Sequence, residues 1–258
     1  MRTIVILNLK GGVAKTATTV NVAAILAHDY GKRVLVVDGD SQCNTTEFLG
    51  ADPRQGNLAN VLRHKEADGC FAATEIQPSN VDGVFVLAGD ESLMDLDLTK
   101  VELQTASATC LRDMRKLFEE RNMYDFMLID CPPAFNAASA AALLAADEVV
   151  IPIKLDAFSL RGMGNLMRQI ANMRKINRGL KLSGLLPTMW YRSENIVEAE
   201  RQLRESKLPV FPHIRYTKQV DNMTFAQEPL IFSSPKSAAC VDYRRFVKVL
   251  LDGGAANA

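Results

Sequence analysis

No stretch of the 258-residue chain is apolar over the roughly 18 residues that a membrane-spanning helix requires. The first residues also lack the basic segment, long apolar segment and small-residue cleavage site of a secretory signal, so the cytoplasm is the expected compartment. Cysteine is sparse: the five, at positions 43, 70, 110, 131 and 240, are odd in number, widely spaced and without a C-x-x-C pair. That spacing argues against a disulfide framework and for reduced, mostly structural thiols, with Cys131 read as a small buried filler ahead of a reactive group. Internal repeats, low-complexity segments and an evident linker are missing as well. Residues 1–258 therefore read as one α/β domain, and 48% hydrophobic content is enough for a sizeable core.

What is present begins at Lys10-Gly11-Gly12-Val13-Ala14-Lys15-Thr16, which follows an apolar run at residues 3–7 and opens a helical pattern. Strand, loop and helix in that order are the setting of a phosphate-binding loop. Gly11 and Gly12 let backbone N–H groups approach an anion, and the helix N-terminus adds partial positive charge. Lys15 can reach the β- and γ-phosphates as a point charge, and the Thr16 hydroxyl is placed to ligate Mg²⁺.

Two acid-bearing segments join this loop. Residues 33–37 read as a buried parallel strand delivering Asp38-Gly39-Asp40-Ser41-Gln42 at its C-terminal end, where open α/β sheets place their ligands. Residues 124–133 repeat the pattern, an apolar strand ending in Asp130-Cys131-Pro132-Pro133, with Asp130 in the position of a carboxylate that holds Mg²⁺ directly or through water. On chemistry alone, an acid beside the γ-phosphate positions water, and an additional lysine stabilises developing charge.

The general loop pattern G-x-x-x-x-G-K-[ST] is not met, because Leu9 and Ala14 stand at its glycine positions. The stretch instead resembles the deviant form K-G-G-x-G-K-T-T of the ParA/MinD-type ATPases, with Lys10 as the extra leading lysine, and is most similar to the ParA/Soj partitioning branch. The D-x-D-P-Q and D-x-P-P segments of that branch are also matched, with Ser41 replacing the proline. The resemblance implies a doubly wound, mostly parallel sheet with helices on both faces, of the P-loop NTPase type, with ATP and Mg²⁺ as cofactors. It implies nucleotide contacts from Lys10, Gly11, Gly12, Val13, Ala14, Lys15, Thr16 and Ala17, and a metal shell of Thr16, Asp38 and Asp130. Lys10, Lys15 and Asp40 are the implied catalytic residues, Asp40 orienting the water and Lys10 reaching across a homodimer interface. The implied activity is slow, Mg-dependent ATP hydrolysis, stimulated by a ParB-like centromere-binding partner, in a dimer that binds double-stranded DNA without sequence preference on the nucleoid. Two departures, Ala14 for glycine and Ala17 for the second threonine, point to a strained loop and a lost α-phosphate contact. They keep open a nucleotide-binding protein with impaired hydrolysis. A membrane-cycling regulator of the MinD kind is the other alternative. An iron–sulfur ATPase of the same superfamily lacks its cysteine pattern here.

The remaining pattern alternates. Helices are expected at 15–30, 57–65, 105–121, 137–146, 159–177, 195–206 and 237–251, and strands at 33–38, 84–87, 125–129, 148–153, 182–189 and 207–211. The stripe Leu160, Met163, Leu166, Met167, Ile170 and Met173 is expected to face the core, as is the apolar face of the last helix (Ala239, Tyr243, Phe246, Val247, Leu250), so no stable membrane anchor is expected. Net charge is zero, yet residues 1–150 carry 13 Lys+Arg against 21 Asp+Glu and residues 151–258 carry 17 against 9. An acidic half and a basic half suit a protein that binds both a metal–nucleotide and a polyanion, although solvated helix faces give the same asymmetry. By resemblance, Arg215 and Lys218, with Arg192, Arg201 and Arg204 as weaker candidates, are expected to meet DNA phosphates, although any one alone reads equally as an ordinary surface cation; His213 reads either as flanking the base or as a capped or surface histidine.

Overall fold

The computed structural model describes residues 1–64, 68–96 and 106–255, apart from the side chains of residues 106–107 and 157–162. The elements run β1 (Arg2–Ile6), α1 (Lys15–Tyr30), β2 (Val34–Asp38), α2 (Asn44–Phe48), α3 (Leu58–Arg63), α4 (Gly69–Thr74), β3 (Ile76–Pro78), β4 (Val84–Leu87), α5 (Ala106–Glu120), β5 (Phe126–Asp130), α6 (Ala137–Ala145), β6 (Glu148–Lys154), α7 (Ala157–Ile176), β7 (Lys181–Thr188), α8 (Glu194–Glu205), α9 (Lys218–Ala226), α10 (Leu230–Ser233) and α11 (Ala238–Leu251).

The strands form one seven-stranded sheet in the order β3-β4-β2-β5-β1-β6-β7. All pairings are parallel except that of the edge strand β3 with β4. The central strands β2 and β5 are buried along their whole length, as expected where helices cover both faces. One face packs against α3–α8, through residues such as Leu111, Leu143, Leu166 and Leu203, and the other against α1, α2 and α9–α11, through Val22, Phe48, Met223 and Phe246. This is the doubly wound arrangement. It brings the C-terminal ends of β1, β2 and β5 side by side, with Asp38 in register with Asp130, and Ile6 in register with Asp130 on the other side.

Local chemistry fixes several boundaries. Gly31, at φ 60, ends α1 by donating its N–H to the Leu26 carbonyl, as a left-handed C-terminal glycine does. The stripe on α7 is buried at Leu166, Ile170 and Met173, while Met163 and Met167 pack partly buried against them. The Leu160 side chain, Lys65, Thr105 and the last three residues lie outside the described set. The apolar face of α11 is fully internal. Cys110, Cys131 and Cys240 are buried, the Cys131 thiol with a pKa pushed up by desolvation and the Asp130 charge, which fits its reading as a filler.

One expected strand does not form. Residues 207–211 make only an isolated bridge, Val210 to Leu185, because Lys207 sits at φ 63 and Pro209 and Pro212 have no N–H to extend a ladder. Conversely, α2, α4, β3, α9 and α10 fall in segments that the sequence pattern leaves as loop.

Candidate nucleotide-binding site

The loop between β1 and α1 wraps over the C-terminal edge of the sheet. Gly12 adopts φ 68, open without strain only to glycine, and a Cβ at Gly11 or Gly12 would meet nothing within 4 Å, so both face open space. The loop is pinned behind by Asn8, which donates to the Pro152 carbonyl (2.7 Å) and accepts from the Lys10 N–H (3.0 Å), and by Thr188, whose hydroxyl donates to the Val13 carbonyl (3.1 Å). α1 starts without a side-chain cap, leaving its first amides directed at that space, the arrangement that favours an anion.

Ala14 also adopts a left-handed conformation, φ 65 and ψ 34, where a Cβ crowds the backbone at a cost of roughly 1–2 kcal/mol. Ala14→Gly is therefore expected to be neutral or to stabilise the fold by up to about 1 kcal/mol in urea denaturation, opposite in sign to the same change inside a helix. Destabilisation by more than that amount would show that the loop does not hold this conformation.

Lys15 is largely buried, and its Nζ donates to the Lys10 carbonyl at 3.2 Å. Its pKa is lowered by desolvation, which outweighs the opposing pull of Asp130 and Asp40. Asp130 gathers two hydroxyls on one oxygen: Oδ2 accepts from Thr16 Oγ1 at 2.7 Å and Thr45 Oγ1 at 2.6 Å. Its other oxygen, Oδ1, is buried with no partner. Asp38 is tied more completely. Its Oδ2 accepts from the Thr46 N–H (2.8 Å) and hydroxyl (2.7 Å), and its Oδ1 from the Asp40 N–H (3.1 Å). Gly89 packs closely here: a Cβ would lie 3.0 Å from the Asp38 carboxyl carbon and the Asp40 carbonyl oxygen, so these neighbours would have to give by a few tenths of an ångström. Burial raises the pKa of both Asp38 and Asp130, with their neighbouring negative charges as a secondary cause. Asp40 is partly exposed and accepts from the Gln42 N–H at 3.1 Å.

The donor set fits a magnesium–nucleotide group. An orphaned carboxylate oxygen beside a threonine hydroxyl is what a hard cation takes, and uncapped amides with Lys15 suit phosphate oxygens. Lys15, Thr16, Asp38, Asp40 and Asp130 meet in one place. A cavity of about 270 Å³ opens beside them, lined by Thr16, Ala17, Val20, Phe48, Met223 and Gln227 among others. Lys10 is turned elsewhere, its Nζ 2.8 and 2.9 Å from the carboxylate of Asp156. Asp156, Thr45 and Thr46 are site residues that the motifs do not reveal.

The cations considered for DNA are differently disposed. Arg201 pairs with Glu198 (2.7 Å) and Glu205 (2.6 Å), Arg204 with Glu200 (2.8 Å), and Arg215 with Asp242 (2.8 Å). Arg192 and Lys218 are exposed and make no ion pair among the described residues. His213 stacks flat on Trp190, with ring centroids 4.0 Å apart, and its Nδ1 lies 3.1 Å from Glu200.

Residues 1–182 match the AAA domain family designated AAA_31. The chain is 36% identical over 203 residues to the chromosome partitioning protein ParA of Caulobacter vibrioides, covering 77% of this chain and 73% of that protein. It is 29% identical over 259 residues to the sporulation initiation inhibitor protein Soj of Bacillus subtilis, covering 97% and 98%. Among solved structures, cobyrinic acid a,c-diamide synthase from Mycobacterium smegmatis with bound ADP and magnesium superposes with a TM-score of 0.78 at 28% identity, covering 97% of this chain and 94% of that one.

Proposed function

The chain belongs to the ParA/Soj family of partitioning ATPases, and on that premise we propose that it is an ATP-hydrolysing switch: ATP drives homodimerisation, the dimer holds double-stranded DNA without sequence preference, and hydrolysis releases it. The observation that carries the reading is the buried, unpartnered Oδ1 of Asp130 beside Thr16, at the foot of an uncapped helix that presents Lys15.

In this reading bound Mg²⁺ neutralises phosphate charge, and the protein supplies position and field. Thr16 and Asp130 would hold the cation, with Asp38, fixed by Thr46, available to its shell. Lys15, already stripped of much of its water, meets the β- and γ-phosphates at little further desolvation. The cavity bordered by Thr16 and Ala17 has room for the nucleoside. Asp40, the least constrained acid, orients the attacking water. Lys10 acts on a second copy's nucleotide after exchanging Asp156 for phosphate, and a ParB-like partner accelerates the cycle on the nucleoid. Arg192 and Lys218 are available to DNA as they stand, whereas Arg201, Arg204 and Arg215 would each have to give up a carboxylate.

The test is retention of the protein on DNA with ATP, ADP or no nucleotide. Retention with ATP alone is expected, and equal retention in all three contradicts the switch.

A further inference from the structure

From residue 157 to residue 193 the chain carries seven Lys and Arg and not one Asp or Glu. Most of this run is α7 and its exit. The helix buries Leu166, Ile170 and Met173 against the sheet, which turns Arg168, Arg174 and Lys175 outward, and Arg178 follows just beyond its end, also exposed. None of these four makes an ion pair among the described residues. Arg168 and Lys175 donate only to neutral amides, Asn165 Oδ1 and Asn172 Oδ1, each at 3.1 Å. The contrast with α8 is direct: there Arg201 and Arg204 are neutralised by glutamates three or four residues away.

We propose that the outward face of α7, with Arg168, Arg174, Lys175 and Arg178, is the surface that holds the phosphate backbone of double-stranded DNA. This rests on the DNA-binding reading above and assigns it to a different face.

Charge without local compensation is what counterion release rewards, and Asn165 and Asn172 are further donors for phosphate oxygens. Arg168 and Lys175, seven residues apart, lie about 10 Å apart along the helix axis, close to three base steps of about 3.4 Å rise along a duplex. A protein partner is disfavoured because the described side chains of this face offer no aromatic or aliphatic cluster for an interface core. A lipid surface is disfavoured because α7 has its apolar face in the core, and Ile176, at its last turn, is its one large apolar side chain that is exposed among those described.

The experiment compares wild type, Arg168→Gln/Arg174→Gln/Lys175→Gln and a charge-matched control, Lys207→Gln/Lys236→Gln/Lys248→Gln, on a random-sequence DNA duplex with ATP across a salt series, with anionic phospholipid vesicles as a parallel arm. The α7 triple variant is expected to lose tenfold or more in affinity and about 2–3 in log–log salt slope, at about 0.9 per phosphate contact. The control is expected to stay within about twofold, and ATP binding to be the same in all three proteins. An unmoved α7 variant, or a control that falls equally, overturns the surface. So does ATP-dependent vesicle binding that only the α7 variant loses while its DNA binding stands. If wild type fails to bind DNA with ATP, the switch reading falls and this surface falls with it; if wild type binds and the α7 variant matches it, only the surface falls.

Discussion

Lys15→Ala is expected to reduce ATP turnover at least 100-fold while leaving the fold intact. Lys15 is the one cation sealed into the loop, and loss of a single preorganised transition-state donor in a water-poor site lowers kcat by about 10²–10³. Its ammonium donates to the Lys10 carbonyl at 3.2 Å and makes no close ion pair among the described residues, so removing it takes no hydrogen-bond partner from a buried carboxylate. Asp130 keeps both hydroxyl donors in the variant. The loss therefore belongs in phosphate release, with circular dichroism and the urea midpoint close to wild type. Lys10→Ala is expected to separate from it, leaving nucleotide binding in place and impairing the steps that need a second copy. Turnover by Lys15→Ala within a few-fold of wild type would show that the reacting phosphates are held elsewhere.

Phe246→Ala is expected to destabilise the protein by about 3–5 kcal/mol, a large share of the about 5–15 kcal/mol that holds a typical domain together. Phe246 is fully buried on α11 and meets the Phe211 ring edge-on, with centroids 4.7 Å apart. One turn earlier, Tyr243 OH lies 3.3 Å from Thr18 Oγ1, so α11 braces the helix that begins the phosphate loop. Denaturant unfolding followed with and without nucleotide measures the effect. A loss under about 1 kcal/mol, together with weakened binding to anionic vesicles, would mean that the apolar face of α11 serves a membrane instead.

The sequence makes the sheet's centre readable because the cues there are chemical and local. Apolar runs end in Asp38 and Asp130, glycines precede Lys15-Thr16, and each strand delivers its own functional residue. What remains hidden depends on contacts between distant segments. Thr45 reaches Asp130 from 85 residues away, and Asp156 reaches Lys10 from 146. The helix that carries Thr45 and Thr46, α2, is five residues long, too short to announce itself by periodicity. β3, three residues paired antiparallel at an edge, is equally quiet. The misread strand at 207–211 had the right apolar character, but its prolines forbid the ladder. For the basic residues, the Glu198/Arg201/Glu205 and Glu200/Arg204 spacings already encode helical ion pairs, and the acid-free run through α7 is the complementary signal.

The most decisive measurement is a crystal structure grown with magnesium and a non-hydrolysable ATP analogue. The phosphates are expected within residues 10–16, with the cation beside Thr16 Oγ1 and drawing on Asp130 Oδ1, the oxygen that has no protein partner. Phosphates bound at any other place, or a cation that leaves Asp130 bonded only to Thr16 and Thr45, would contradict it.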